Sequence, residues 1–204
     1  AAEMGHQVVM TPTKHCYLDL YQGDPQVEPI TYSMLRLKDV YAFEPVPEGI
    51  DQALILGGQG NLWTESVYTL GHAQYMTWPR GFALAEVLWS EKEDQDWEEF
   101  VGRTEEHFNR LDALDINYAV SVFDPIVRLK AEGSGLKAQV VMETEVSGLD
   151  IHYTFDESFP DEHYPVYTEP IAIPQGATVL RVVTYRDGKQ MGKQIRLEIE
   201  KLTL

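Results

Sequence analysis

Residues 57–66 of the chain read GGQGNLWTES, and they follow a short apolar run at positions 53–56. Four apolar residues that end in glycine are typical of a buried strand of the kind found in parallel sheets. Beyond the glycines, Trp63 and Glu65 stand two residues apart, a spacing that puts both side chains on one face of an extended chain. The stretch therefore predicts a buried strand whose carboxyl end presents a large ring beside a carboxylate.

A second segment repeats this arrangement near the start of the sequence. The apolar run at residues 7–10 predicts another buried strand, and the segment KHCYLDLYQG that follows it places Tyr17 and Asp19 two residues apart. Ligands bind at the carboxyl ends of strands in open α/β sheets and barrels. A ring can stack on the C–H face of a sugar, and an ionised carboxylate accepts strong hydrogen bonds from hydroxyls. A single aromatic residue more often packs in the core, but the duplicated pattern makes a sugar site as good an interpretation as core packing.

Helical patterns separate and follow these strands. Residues 31–38 are weakly helical, and a longer helical region through Trp89 is expected to break, or to restart, near Pro79. The clearest helix begins after Asp96, because Glu99 stands three residues on and apolar residues then recur at helical spacing as far as residue 111. We expect that helix to pack on a larger core.

The pattern changes to a period of two in the last third of the chain. Residues 151–155, 178–185 and 194–200 alternate, and Asp187-Gly188 between two of these runs is a strong hairpin signal. The sequence therefore predicts two domains, an α/β domain at residues 1–120 and a small antiparallel β-sandwich at 121–204. Two parallel strands cannot close a barrel, so we interpret the first domain as the last part of a larger one.

Composition excludes several classes of partner. The formal net charge is −17, and an excess of this sign repels nucleic acid and anionic membrane surfaces. No apolar run approaches the roughly 18 residues that cross a bilayer. Cys16 is the only cysteine and the six histidines are scattered, so we expect neither a metal site nor a cofactor, and we interpret Cys16 as a small buried residue.

Other features have simple structural interpretations. Gly57, Gly58 and Gly60 do not form a phosphate loop, since the lysine and hydroxyl residue of that motif are missing, and crowding of the backbone explains them better. We expect Glu86 to brace Arg80 in a structural ion pair. The start, AAEMGHQVVM, has no initiator methionine and no signal peptide, so we expect a longer parent protein whose own signal would lie upstream.

Several segments together resemble glycoside hydrolase family 20, the β-N-acetylhexosaminidases. They are GGQGNLWTE at residues 57–65, YMTWPRGFALAEVLWS at 75–90, YLD at 17–19 and RLDALDINY at 110–118. The resemblance covers about residues 5–118 and implies the last β/α units of a TIM (β/α)8 barrel. The segment YTFDESFPDEHYPVYTEPI at 153–171 resembles the Y-T-x-D-G-S-x-P pattern of the β modules appended to such enzymes, with Glu157 where that pattern has glycine.

Carried over by position, the resemblance implies a role for each residue of the two pairs. Tyr17 would hold the carbonyl oxygen of the substrate's 2-acetamido group, Asp19 and Glu65 would bind the hydroxyls at C4 and C6, and Trp63 would stack on the sugar. The implied reaction is the retaining, substrate-assisted hydrolysis of terminal N-acetylhexosamine residues from glycans, in which the acetamide is the nucleophile. The implied parent is an exported enzyme.

The family's catalytic Asp-Glu pair, in its H-x-G-G-D-E context, is absent from the sequence. We therefore assign no acid or base here and expect the chain alone to be inactive. Severed barrel strands leave unpaired edges, so we also expect self-association. The competing hypothesis is a non-catalytic carbohydrate-binding or interaction module, in which Tyr153, Tyr164 and Tyr167 would line one exposed face. A third interpretation makes the β domain a strut that packs on the barrel.

Overall fold

The computed structural model describes residues 1–131 and 138–202, which form two compact units. The first unit comprises residues 1–23 and 29–119. The second comprises Asp24–Glu28 and the chain from Val120 onward. Residues 24–28 fall within the first domain predicted from the sequence, at residues 1–120. They belong with the second because the Glu28 carboxylate accepts a hydrogen bond from Ser121 and forms an ion pair with Lys193, at 3.0 Å.

Two parallel strands organise the first unit, β1 (Val8–Met10) and β2 (Ile55–Gly58). The second strand begins two residues later than its apolar run, because residues 52–54 form a 3-10 turn that the Asp51 side chain caps. The prediction that both strands are buried is wrong, because every residue of both strands is at least partly exposed. Alternate residues of a strand face opposite sides; Val9 is 47% exposed and Leu56 61% exposed on one side, and the other side is only half-buried.

Five α-helices complete the first unit, together with short 3-10 turns. They are α1 (Thr13–Cys16), α2 (Leu37–Tyr41), α3 (Leu70–Thr77), α4 (Arg80–Trp89) and α5 (Trp97–Ala113). The expected interruption at Pro79 is confirmed, because α3 ends and α4 begins on either side of it. The prediction of a helix over 31–38 is wrong for most of its length. Residues 31–36 are irregular, and α2 begins only where the Asp39 carboxylate accepts from the Arg36 amide, at 3.0 Å.

The helix predicted after Asp96 is confirmed in its start and in its buried face. The Asp96 side chain accepts a hydrogen bond from the Glu99 amide at 2.8 Å, as an N-cap residue does. The residues of α5 that are buried all lie on the predicted stripe: Phe100, Val101, Thr104, Phe108 and Leu111.

The expected ion pair between Arg80 and Glu86 is wrong. Arg80 is fully buried, and its guanidinium donates to four backbone carbonyls, those of Leu18, Leu20, Leu35 and Met76. Glu86 instead accepts from the Tyr41 hydroxyl at 2.8 Å and bonds to Arg103 at 2.8 and 2.9 Å. Arginine suits the buried position because its planar fork carries five donors, enough to serve several carbonyls at once.

The second unit is a sandwich of two antiparallel sheets, as predicted. The first sheet has β3 (Ile126–Ala131), β4 (Ala138–Glu143) and β6 (Ile171–Ala172), in the order β3-β4-β6. The second has β5 (Asp150–Thr154), β7 (Val179–Arg186), β8 (Lys189–Gln190) and β9 (Ile195–Glu198), with both β8 and β9 paired to β7. One apolar core joins them, with Val140 and Met142 from the first sheet and Ile151, Leu180, Val182, Ile195 and Leu197 from the second.

Two turns of this sandwich use left-handed backbone. Asp187 and Gly188 join β7 to β8 with φ values of 51° and 73°, which confirms the predicted hairpin. Glu157 also adopts a left-handed φ, of 68°, at the position where the resembling pattern has glycine. The turn is therefore kept despite the substitution, and the Glu157 carboxylate bonds to both Arg181 and Arg196.

Candidate functional site

The segments that leave β1 and β2 stay together beyond the strands. The Gln59 amide donates to the Met10 carbonyl at 3.0 Å, where the strand pairing ends. Pairing resumes further on, since the Leu18 amide donates to the Asn61 carbonyl and the Asn61 amide donates to the Cys16 carbonyl, both at 2.7 Å. This second contact places Tyr17 opposite Asn61 in parallel register and so brings the Y-x-D and W-x-E segments side by side.

Gly58, the last residue of β2, and Gly60 allow α4 to pack against this backbone. A Cβ atom at Gly58 would lie 2.8 Å from Cδ2 of Leu88, and one at Gly60 would lie 2.8 Å from Cδ2 of Leu84. Atoms that close overlap, so only glycine fits unless the leucines move. The predicted crowding is therefore present at Gly58 and Gly60 but not at Gly57, where a Cβ would meet nothing within 4 Å and the φ of 132° is what favours glycine.

All four side chains singled out in the sequence line one pocket of about 490 Å³. That volume is in the range of small-molecule sites. The ring centroids of Tyr17 and Trp63 are 6.3 Å apart with planes inclined by 51°, and Trp63 is 52% exposed, with surface free for a ligand. The remaining wall residues are Ile30, Thr31, Tyr32, Ser66, Val67, His72 and Met76.

Asp19 is held firmly in the pocket wall. It is 7% exposed, and its Oδ2 atom accepts a hydrogen bond from the Tyr32 hydroxyl at 2.6 Å. Its backbone carbonyl accepts from the Thr31 hydroxyl. Its other carboxylate oxygen, Oδ1, is buried and has no hydrogen-bond partner in the described part of the chain. A buried carboxylate oxygen left unsatisfied is unusual and marks a place for a donor from a ligand or water.

Arg80 fixes the loop that carries Tyr17 and Asp19. Its guanidinium bonds the carbonyls of Leu18 and Leu20, which alternate with those two residues along the chain. With 0% exposure, Arg80 cannot touch a ligand, so its contribution to the site is the position of this loop.

Sequence reasoning missed Tyr32 and His72. Tyr32 lies in the region predicted to be helical, and nothing in its own neighbours along the chain indicates a contact with Asp19, thirteen residues earlier. His72, in the first turn of α3, lines the pocket with a buried Nε2 atom that has no partner among the residues described. Neither residue forms part of a recognisable sequence motif.

Two pKa shifts bear on the chemistry of the first unit. The hydrogen bond to Asp19, followed by burial and by the charges of Asp19, Tyr17 and Glu65, raises the pKa of Tyr32 to about 12. Tyr32 therefore stays a neutral donor at physiological pH. Burial raises the pKa of the Cys16 thiol to about 11, so Cys16 is a buried, unreactive residue as expected.

Within residues 1–131 and 138–202, no cluster of three or more histidine, cysteine, aspartate or glutamate side chains is arranged to hold a metal ion. The same residues contain no helix with the length and apolarity that a membrane crossing requires.

Comparisons with known proteins agree with this architecture. Residues 1–92 match the model of the glycosyl hydrolase family 20 catalytic domain, and residues 131–195 match that of the chitobiase/beta-hexosaminidase C-terminal domain. A beta-hexosaminidase of Porphyromonas gingivalis is 34% identical over 98% of this chain and 26% of its own length. A beta-N-acetylhexosaminidase of Cellulomonas fimi is 34% identical over 59% of this chain and 25% of its own length.

A solved structure is similar as well. The family 20 exo beta-N-acetylglucosaminidase of Vibrio harveyi, in complex with N-acetylglucosamine, aligns over 58% of this chain and 19% of its own, with a TM-score of 0.54 and 34% identity. The chain spans about a quarter of the length of the two curated relatives named above. The chain therefore belongs to glycoside hydrolase family 20, with part of the catalytic domain in its first unit and the chitobiase/beta-hexosaminidase C-terminal domain in its second.

Proposed function

We propose that the pocket is one side of the site in which an exo-β-N-acetylhexosaminidase binds the terminal N-acetylhexosamine of a glycan. The observation that carries the proposal is the convergence of Tyr17, Asp19, Trp63 and Glu65 on a single cavity from two separate segments. A wall with two rings and two carboxylates suits a sugar, whose faces are apolar and whose edges are hydroxyls. The names of the matched relatives support the same activity.

Tyr17 is proposed to orient the reacting group. Its hydroxyl donates to the carbonyl oxygen of the 2-acetamido group and holds that oxygen in line with the anomeric carbon. The acetamide oxygen then attacks C1 as the leaving group departs, so the first step is intramolecular. Placing the reacting atoms in line in this way lowers the entropic part of the activation barrier. The configuration at C1 is retained because two successive displacements occur there.

The other three side chains are proposed to hold the sugar. Asp19 and Glu65 accept hydrogen bonds from the hydroxyls at C4 and C6, which fixes the non-reducing end and explains an exo mode of attack. Trp63 stacks on the ring or on the acetamide methyl. Bonds to ionised carboxylates are stronger than neutral ones, so the two acids set how tightly the sugar is bound and how it is oriented.

The chain alone is predicted to have no measurable hexosaminidase activity. General acid catalysis contributes roughly 10²–10⁴-fold to such reactions, and the H-x-G-G-D-E acid pair of the family does not occur in this sequence. The measurement is release of chromophore from an N-acetyl-β-glucosaminide by the purified 204-residue chain. Turnover above the uncatalysed background would contradict the prediction.

The proposed function itself is tested in the full-length protein that carries this chain. We expect hydrolysis of the same chromogenic substrate, and we expect Asp19→Asn and Glu65→Gln each to lower kcat/KM by about tenfold to a hundredfold, the loss of one hydrogen bond to a charged group. Tyr68→Phe is the matched control, because Tyr68 is 82% exposed and does not line the pocket. An active protein whose acid variants behave like the control would refute the assignment of the pocket.

The alternative of a carbohydrate-binding β module has less support. It needed an exposed aromatic face, and each of Tyr153, Tyr164 and Tyr167 is only partly exposed. Tyr153 and Tyr167 instead pack against the core of the sandwich. The geometry therefore favours the pocket of the first unit as the working site.

A further inference from the structure

We propose that Tyr32 is a positioning residue of this pocket: its hydroxyl fixes the Asp19 carboxylate so that Oδ1 is the oxygen offered to a sugar hydroxyl. The inference rests on the proposed function for the identity of the ligand. It adds a residue that lies outside both sequence motifs and that acts through Asp19.

The contacts of Asp19 are asymmetric. Tyr32 donates to Oδ2 at 2.6 Å, whereas Oδ1 is buried without a partner in the described residues. The terminal torsion of an aspartate is broad and nearly two-fold, so a carboxylate with no fixed contact exchanges its two oxygens. One strong donor on Oδ2 stops that exchange and leaves Oδ1 of this pocket-lining residue as the one carboxylate oxygen without a partner in the described residues.

Tyr32 can hold Asp19 because the segment around it is itself fixed. Thr31 donates to the Asp19 backbone carbonyl, so neighbouring residues hold both the main chain and the side chain of Asp19. On the other side of Tyr32, the Tyr21 amide donates to the Ser33 carbonyl at 2.7 Å and the Leu35 amide donates to the Tyr21 carbonyl at 2.8 Å. These three hydrogen bonds hold residues 31–35 against residues 19–21.

The state of the Tyr32 hydroxyl suits the role. Its hydrogen bond to Asp19 raises its pKa to about 12, so it remains protonated and donates throughout the range in which a glycosidase works. A donor that is always present keeps the carboxylate in one orientation. The ligand that completes this arrangement is a hydroxyl that donates to Oδ1, so the pocket should discriminate against sugars that lack that hydroxyl.

The test in the full-length protein is a double-mutant cycle. Tyr32→Phe removes only the hydroxyl, and we expect it to raise KM for a chromogenic N-acetylhexosaminide about tenfold while kcat changes less than twofold, the pattern of lost binding without lost chemistry. In the Asp19→Asn background the same change should have no effect, because Tyr32 acts through Asp19. Tyr68→Phe is the control. A Tyr32→Phe enzyme with wild-type KM, or an equal effect in the Asp19→Asn background, overturns the proposal.

A second measurement on the 204-residue chain requires no activity. In chains with ¹³C-labelled tyrosine rings, the Tyr32 signal is identified by its absence from Tyr32→Phe, and its shift is followed with pH while circular dichroism monitors folding. We expect half-ionisation near 12 in the wild type and a fall toward 10 in Asp19→Asn. Ionisation near 10 in the wild type overturns the contact. If the full-length protein hydrolyses no hexosaminide, the proposed function fails, and this titration still decides whether Tyr32 holds Asp19.

Discussion

Glu157 shows how a residue with a side chain is accepted where a glycine is expected. Its φ of 68° is a conformation that residues with a Cβ rarely adopt. The carboxylate bonds to Arg181 at 2.8 Å and also to Arg196, and these two arginines hold the pKa of Glu157 down to about 2, with Arg196 the larger cause. The two ion pairs thus hold the side chain of the residue that carries the left-handed turn.

This arrangement predicts a pH dependence. A carboxyl whose folded pKa is depressed stabilises the fold above its unfolded pKa, near 4.5, and loses that effect as the pH falls toward 2. We therefore expect Glu157→Gln to lower Tm at pH 7, and the difference from wild type to shrink steadily between about pH 5 and pH 2. Glu169→Gln, on an exposed residue of the same unit, is the control. A Tm difference that does not vary with pH would show that the two ion pairs contribute nothing.

Replacing each of two glycines of the first unit with alanine should change the free energy of unfolding in opposite directions. A Cβ at Gly60 would lie 2.8 Å from Leu84 and 3.3 Å from Leu18, whereas one at Gly102, on the exposed side of α5, would meet nothing within 4 Å. We expect Gly60→Ala to lower the free energy of unfolding by about 1–3 kcal/mol through overpacking. Gly102→Ala should raise it by about 0.5–1 kcal/mol through helix propensity. Urea denaturation measures both, and equal effects of the two would contradict the packing argument.

At the scale of elements, local signals were predictable and tertiary contacts were not. The start of α5 and the β7–β8 turn were found because Asp96 and Asp187-Gly188 act on their immediate neighbours along the chain. The irregular path of residues 31–36 was not, because it is held by Tyr21 and Arg80, which are distant in sequence. The places of Tyr17 and Asp19, and of Trp63 and Glu65, at the site could be predicted because each pair follows a strand. The contact of Tyr32 with Asp19 could not.

Arg80, the first residue of α4, bonds the loop that carries Tyr17 and Asp19, and its replacement gives a further prediction. Arg80→Lys keeps the charge but cannot reach four carbonyls with one compact ammonium. A buried acceptor left unsatisfied costs about 1–3 kcal/mol, so we expect the free energy of unfolding to fall by at least about 3 kcal/mol. Arg110→Lys, on the exposed face of α5, is the matched control. An Arg80→Lys chain as stable as this control in urea would show that the four bonds do not hold the loop.

At the scale of the whole molecule, the exposed apolar side chains of the first unit predict association. Leu56 is 61% exposed on β2, and Trp89, at the end of α4, is 92% exposed. We propose that copies of the chain associate to cover such surface. Light scattering at micromolar concentration should give a mass above the 23.2 kDa of one chain. Leu56→Lys should reduce that mass, whereas Leu114→Lys, on a residue 68% exposed beyond the end of α5, should not. A monomer mass for the wild type would contradict the proposal.

Residues 24–28 belong to the second unit although they lie within the sequence of the first, and this affects how the two units can be expressed separately. A version ending at residue 119 would retain Glu28, whose side chain is wholly inaccessible to solvent, but would delete Ser121 and Lys193, which hold it. A buried charge that loses its partners in this way strongly destabilises the fold. The alternative is that residues 24–28 detach and expose the carboxylate to water. Shortened forms should therefore also replace residues 24–28 with a polar turn, since the border between the units crosses the sequence in more than one place.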